Sequence, residues 1–168
     1  MKKKDVQGAF FILKHLAKAN SDLVKRMASE GHLVCNHTAY HKNLCRASKE
    51  EIRAEIEELE QSCREIGVSV APYFRPPEGS FSKELLQTVA QMGYHTVFWS
   101  FAYADWDNQK QPTPARAMAC IMENMHNGAV LLLHPTSATN AEILPQLIDT
   151  LREQGYRFGT LDELCKGA

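Results

Sequence analysis

The segment VQGAFFIL, at residues 6–13, is a β-branched and aromatic run with the pattern of a buried strand. Four further short strands are predicted, at residues 32–35, 95–100, 129–133 and 156–158. Helical patterns separate them, at residues 20–31, in a long helix that starts from Ser48, and at 82–92, 113–125 and 140–154. Apolar strands that alternate with helices indicate an α/β fold with a parallel sheet covered by helices, and a (β/α) barrel is its natural closure.

The composition is that of a globular protein, and we expect a single domain over residues 1–168. The formal net charge of -1 gives no electrostatic reason to expect nucleic acid or an anionic membrane as a partner. No apolar run approaches the ~20 residues that a membrane span needs. Lys14, His15 and Lys18 interrupt the apolar residues near the start, which argues against a signal peptide.

Two histidines follow the second predicted strand, in NHTAYH at residues 36–41. His37 and His41 are four positions apart, so on one helical turn both imidazoles could reach one metal ion at about 2.0–2.1 Å. A catalytic zinc ion normally has three protein ligands and one open position, so a third ligand must come from elsewhere. The alternative interpretation is two ordinary surface or core histidines.

A stiff loop is predicted at FRPPEG, residues 74–79. Its two prolines restrict the backbone, and Gly79 permits an unusual turn. After a strand, such a loop can hold a backbone N–H, such as that of Glu78, toward a developing oxyanion. Arg75 can orient a carboxylate by a two-pronged contact. The alternative is a simple loop with a surface arginine.

Two more polar segments follow predicted strands. In ADWD, at residues 104–107, Trp106 offers a wall for stacking a sugar ring and Asp105 could hold a histidine in place. In LLHP, at residues 132–135, an apolar strand ends in His134, a ready general acid. The alternatives are a helix-capping aspartate beside a half-buried tryptophan, and a structural histidine.

In this order, the motifs resemble those of the polysaccharide deacetylase family with the NodB homology domain, carbohydrate esterase family 4. The similarity extends from about Val6 to Leu164, nearly the whole chain. Residues 31–41, 75–79, 105–106 and 133–134 resemble the family's metal-histidine, RPPxG, Asp-Trp and Leu-His motifs. Residues 97–106 and 140–142 look most like the peptidoglycan N-acetylmuramic acid deacetylase branch.

The resemblance implies a distorted (β/α) barrel and metal-assisted hydrolysis of N-acetyl groups on a carbohydrate polymer. Under it, His37 and His41 would bind a divalent metal, commonly zinc. His134, oriented by Asp105, would protonate the leaving amine.

The same resemblance gives the loop residues their roles. The N–H of Glu78 would stabilise the oxyanion, and Arg75 would hold the catalytic base. Leu133 would shape the pocket for the acetyl methyl group. The substrate-binding residues implied are Leu133, Trp106 and Pro77.

The sequence departs from the family pattern at its start. The family opens with a strand that ends in a Thr-Phe-Asp-Asp-Gly type motif, which supplies the base and a metal ligand, whereas Asp5 precedes the strand at residues 6–13. We therefore expect a barrel without its first strand, a weak zinc site, and little or no activity from this chain alone. The exposed strand edge predicts a homodimer across the gap, or poor solubility.

Two other functions are compatible with these motifs. One is a non-catalytic glycan-binding relic of the same fold, which would bind saccharides without turnover. The other is an unrelated metal hydrolase on a similar barrel, in which Asp105 or Glu78 would be the third metal ligand.

Overall fold

A computed structural model of the chain describes residues 1–166, which form two compact units. The sheet unit comprises residues 7–98 and the segment from Gly159 onward. The second unit comprises residues 1–6 and 99–158. No helix among residues 1–166 has both the length and the apolar character that crossing a membrane requires.

The sheet unit contains four parallel strands in the spatial order β1-β2-β3-β4. Their bounds are Ala9–Ile12 (β1), Leu33–Asn36 (β2), Ala71–Phe74 (β3) and His95–Thr96 (β4). Ile12 pairs with Asn36, and Asn36 pairs with Phe74, so the carboxyl ends of the first three strands lie side by side. This parallel sheet confirms the predicted α/β class.

Seven α-helices are present in the described part of the chain. Their bounds are Lys14–Ala19 (α1), Ser21–Ser29 (α2), Lys49–Glu65 (α3), Lys83–Gln91 (α4), Pro114–Glu123 (α5), Ala138–Glu153 (α6) and Leu161–Lys166 (α7). The helices from Ser48 and at 82–92, 113–125 and 140–154 are confirmed, with ends that differ by a few residues.

Helix α3 has the two features that its sequence pattern predicts, a capped start and an apolar stripe. Ser48 and Glu51 form a reciprocal capping box at its start, as their spacing predicts. Its apolar stripe is fully buried, at Ile52, Ile56, Leu59 and Cys63. Apart from the buried Glu55, the charged side chains of the helix are exposed or half-buried, so burial of the apolar stripe stabilises the helix against the sheet unit.

Helices α5 and α6 pack against each other around the core of the second unit. That core contains Phe101, Ala117, Ile121, Ile143, Leu147 and Leu151. Pro145 lies inside α6 without ending it. The predicted strand at residues 129–133 is wrong, because only the single bridge between Phe101 and Leu131 forms there.

The physical reason is the lack of a continuous partner strand. Ser100 N–H donates to the Val130 carbonyl at 2.9 Å, and Leu132 N–H donates to the Phe101 carbonyl at 3.0 Å. The Val130 N–H is taken by the Ser100 hydroxyl at 3.0 Å, so no further ladder bond forms at that position. The predicted strand at 156–158 is also absent, and its aromatic side chains pack against the core instead.

The predicted strand at residues 95–100 is shortened to the two residues of β4. Val97 N–H makes the last bond, to the Phe74 carbonyl, at 2.7 Å. Beyond Phe74 the neighbouring chain enters Pro76 and Pro77, which have no N–H to continue the ladder.

Candidate active site

The paired histidines lie in an irregular loop directly after β2, not on the helical turn that their spacing suggests. The ring centroids of His37 and His41 are nevertheless 4.9 Å apart, with the rings edge to face. His37 is half-buried and His41 is exposed. Positive φ angles at Thr38 (72°) and His41 (57°) turn the chain so that the two imidazoles meet.

A buried asparagine holds this strained loop. A positive φ is rare for a β-branched residue and must be held by its surroundings. The Oδ1 atom of Asn36 accepts from the Thr38 N–H at 2.9 Å, and the Thr38 hydroxyl accepts from the His41 N–H at 2.9 Å. The Asn36 amide group in turn donates to the Ile56 carbonyl at 3.1 Å and to the Tyr94 hydroxyl at 3.3 Å.

The orientation of His37 suits a metal ligand. Its Nδ1 lies 2.7 Å from the backbone carbonyl of Arg75. Because a carbonyl oxygen only accepts, Nδ1 carries the proton, and the ring lone pair is then on Nε2. Metal-binding histidines commonly make this kind of contact through their second nitrogen.

His37 and His41 could therefore supply two of the ligands that a divalent metal needs. Among residues 1–166, no three His, Cys, Asp or Glu side chains are grouped so that they could hold a metal ion. The structure accordingly gives no support to Glu78 or Asp105 as a third ligand. The roles of His37 and His41 stay a prediction.

The loop after β3 lies beside the histidine loop. Arg75 N–H donates to the Asn36 carbonyl at 3.0 Å, which joins the two loops through their backbones. The Glu78 carboxylate accepts from the Asn43 side-chain amide at 3.0 Å. Glu78 has a positive φ of 59°, within a tight turn at Pro77–Gly79. Pro77 itself is buried.

Arg75 is buried, with 7% of its surface exposed. Its guanidinium carbon lies 4.0 Å from the centroid of the Phe11 ring, close enough for a cation–π contact. Burial lowers the pKa of Arg75 to about 10, so the side chain is still a cation near neutral pH. The simple-surface-arginine alternative does not describe this side chain.

In the second unit, the structure places His134 against Asp105. The Nδ1 atom of His134 lies 2.6 Å from one oxygen of Asp105, and its backbone N–H donates to the other oxygen at 2.7 Å. The amide of Asn140 donates to that second oxygen at 2.6 Å. Burial would by itself raise the pKa of the fully buried Asp105, but the bonds from His134 and Asn140 outweigh it and lower the pKa.

Two predicted substrate-binding residues are near this pair in sequence. Trp106 is 62% exposed, and its ring centroid is 6.3 Å from that of His134. Leu133 is half-buried and packs against the core of the second unit. Trp106 is therefore a surface ring, more exposed than the half-buried alternative.

Sequence reasoning missed three residues that hold these groups: Asn36, Tyr94 and Asn140. Asn140 is 35 positions from Asp105, and Tyr94 is 58 positions from Asn36. Asn36 stands beside His37 in its motif and Asn140 lies in the segment 140–142 that resembles a branch of the family, but neither pattern indicates these contacts. The two histidines of the loop belong to the sheet unit, whereas Asp105 and His134 belong to the second unit.

A sequence profile described as polysaccharide deacetylase matches residues 1–97. The peptidoglycan-N-acetylmuramic acid deacetylase PdaA of Bacillus subtilis is 38% identical over 165 residues, which cover 98% of this chain and 63% of PdaA. The solved structure of PdaA from that species, a family 4 carbohydrate esterase, matches with a TM-score of 0.94 and 37% identity, over 99% of this chain and 71% of that one. A family 4 pseudoenzyme from Bacillus anthracis matches with a TM-score of 0.88 and 31% identity, over 97% of this chain and 57% of that one.

These matches define an α/β protein of the carbohydrate esterase class. The chain belongs to the polysaccharide deacetylase family, carbohydrate esterase family 4. It spans about three fifths of the length of the first curated relatives it matches. The predicted fold type is thereby confirmed.

Proposed function

We propose that this chain acts in the metal-dependent removal of N-acetyl groups from a carbohydrate polymer, with N-acetylmuramic acid of peptidoglycan as the substrate sugar. The contact between Asp105 and His134 carries this proposal, because it provides an oriented imidazole. The likeness to PdaA supports the choice of sugar.

His134 has the role of general acid. Its Nδ1 proton is bound to the Asp105 carboxylate, so Nε2 is the atom that exchanges a proton with substrate. Asn140 fixes the carboxylate, and therefore the plane of the imidazole. The leaving amine takes its proton from Nε2, and Leu133 shapes the space for the acetyl methyl group.

The remaining roles are proposed for residues of the sheet unit. His37 and His41 are the residues that would hold the divalent cation, for which we propose zinc. When bound, such a cation supplies polarisation of the acetamide carbonyl. The N–H of Glu78, in its strained turn, would donate to the oxyanion, and the buried cation of Arg75 would hold a carboxylate base. The Asp-Asp pair of the family pattern does not occur in the 168 residues, so we expect weak turnover from this chain alone.

The second candidate function is a glycan-binding relic of the same fold. The two-histidine donor set and the likeness to a pseudoenzyme favour it. Both candidates bind saccharide, and they differ in whether acetate is released.

Zinc binding to the purified chain is the first test. We expect isothermal titration with ZnCl₂ to show one site, which is lost in His37→Gln and in His41→Gln. The matched control is His126→Gln, since His126 is an exposed histidine of the second unit. Equal zinc affinity in all three variants would contradict the assignment of the metal ligands.

Acetate release is the second test. The zinc-loaded chain is incubated with peptidoglycan that contains N-acetylmuramic acid, and the acetate released is measured by an enzyme-coupled assay. We expect slow release that His134→Gln abolishes and EDTA stops. Saccharide binding with no release at saturating zinc would overturn the deacetylase proposal in favour of the relic.

A further inference from the structure

We infer that Glu55 of α3 is a positioning residue for His41, which it holds beside His37 by binding the chain on both sides of that histidine. This role deepens the proposed function and rests on it for the metal that the two histidines would bind. A buried carboxylate, with both of its oxygens bound to the histidine loop, supports the inference.

Glu55 lies on the buried face of α3, where a carboxylate is costly. It is three positions after Ile52 and four before Leu59, so it shares their side of the helix. Only 5% of its surface is exposed, and a charged side chain is rarely buried to this extent unless it is paired. An apolar residue would extend the stripe, so packing of the helix does not explain a glutamate at this position.

Both oxygens of this carboxylate are bound to residues adjacent to His41. One accepts from the backbone N–H of Tyr40 at 2.9 Å, and the other from the ammonium group of Lys42 at 2.9 Å. The Lys42 side chain is 65% exposed, so its ion pair contributes little. The bond from the Tyr40 backbone is the stronger anchor, because its acceptor is charged and shielded from water.

The segment around His41 has few other restraints. Residues 37–44 belong to no helix or strand. Ala39 and Leu44 are buried, but residues 40–43 between them are exposed. His41 also has a positive φ of 57°, a conformation that its surroundings must hold. Without the bonds to Glu55, burial would fix only the two ends of this exposed stretch.

Glu55 and Asn36 hold different parts of the loop. Asn36 binds the N–H of Thr38, and the Thr38 hydroxyl accepts from the His41 N–H. Glu55 instead binds the residues on either side of His41 from α3. Loss of Glu55 should therefore release His41 while the bond between Asn36 and Thr38 remains.

The first test follows the full chain in EDTA by NMR. The ring centroids of His37 and His41 are 4.9 Å apart, so their ring protons should give NOEs in the wild type. The main variant is Glu55→Leu, which keeps the helix face filled and should stay folded, since apolar residues often replace buried charges without loss of stability. We expect it to lose the ring NOEs and the exchange protection of the Tyr40 amide, while the Thr38 amide stays protected.

A second variant and a stability measurement separate positioning from a purely structural role. Glu55→Gln keeps an oxygen for the Tyr40 N–H and should retain both the ring NOEs and the amide protection. Urea unfolding reports the stability of each variant. Ring NOEs that persist in Glu55→Leu, whatever its stability, would overturn the inference.

Zinc affinity is the second test. The Kd for ZnCl₂ should rise about tenfold in Glu55→Leu, as it does on loss of groups that orient metal ligands. In Glu55→Gln it should rise about threefold or less, since only the exposed contact to Lys42 is lost. The matched control is Glu57→Gln, which removes the same charge from an exposed position of the same helix and should leave the Kd unchanged.

The outcomes distinguish this inference from the proposed function. Wild-type zinc affinity in Glu55→Leu would refute the positioning role and leave the metal site intact. A wild-type chain that binds no zinc would contradict the metal site, and the NMR comparison in EDTA would still decide whether Glu55 positions His41.

Discussion

At the scale of single residues, Asn36 connects the core of the sheet unit to the histidine loop. It is fully buried, and its side chain makes three hydrogen bonds, to Thr38, Ile56 and Tyr94. Tyr94 continues the network by donating to Glu60 at 2.5 Å. Burial and this bond to a carboxylate raise the pKa of Tyr94, so its hydroxyl keeps its proton. These hydrogen bonds therefore hold the backbone of Thr38 in its strained conformation.

We predict that Asn36→Ala lowers the free energy of unfolding by about 2–3 kcal/mol, because buried partners lose their bonds. It should also weaken zinc binding about tenfold, as loss of groups that orient metal ligands does. Urea unfolding and zinc titration measure the two effects. Asn124→Ala is the control, since Asn124 is exposed and donates only to the Cys120 carbonyl among the bonds found for its side chain. An Asn36→Ala protein with unchanged zinc affinity would show that the loop holds its shape without this side chain.

Asp105 is expected to make stability depend on acid pH. Its pKa is lowered in the folded protein, so its stabilising contribution is complete above the ordinary aspartate value of ~3.9 and is lost as pH falls through the folded value. We predict that Asp105→Asn lowers the free energy of unfolding by about 2 kcal/mol at pH 7. This difference from wild type should shrink below pH ~4. Urea unfolding between pH 3 and pH 7 measures the difference. Asp107→Asn is the control. Asp107 is half-buried, and its substitution should lower the free energy of unfolding by less.

At the scale of elements, helix α3 depends on its capping box. Glu51 N–H donates to the Ser48 hydroxyl at 3.2 Å, and Ser48 N–H donates to the Glu51 carboxylate at 2.8 Å. We predict that Ser48→Ala lowers the free energy of unfolding by about 1 kcal/mol, since one of the first N–H groups of the helix loses its acceptor. Ser48→Thr keeps the oxygen and should behave like wild type in the same thermal or urea unfolding. Equal losses in both variants would mean that packing, and not capping, is being measured.

The C-terminal helix α7 belongs to the sheet unit although it follows the second unit in sequence. The Tyr73 hydroxyl of β3 donates to Asp162 of α7, 89 positions away. Burial and this bond raise the pKa of Tyr73. A side-chain contact of this kind cannot be read from either segment separately.

At the scale of the whole molecule, the sheet ends at β1, whose residues Ala9–Ile12 pair with β2 on one side. An edge strand is a template for pairing with another chain. We therefore keep the prediction that the purified chain dimerises across this edge. Light scattering coupled to gel filtration, over a hundredfold range of concentration, should show a rising dimer fraction. A monodisperse monomer at the highest concentration would contradict it.

The sequence by itself determined the α/β class, the places of five of the seven described helices within a few residues, and the motifs that resemble family 4 esterases. It could do so because apolar periodicity, caps and short motifs are local properties of the chain. Only the tertiary structure decided that residues 129–133 form a single bridge and no strand, since a strand requires a partner along its length. It also decided that Asn140 holds Asp105, and that a loop with positive φ at Thr38 brings the two histidines together. Those outcomes depend on hydrogen bonds between residues far apart in sequence, for which the local pattern has no signal.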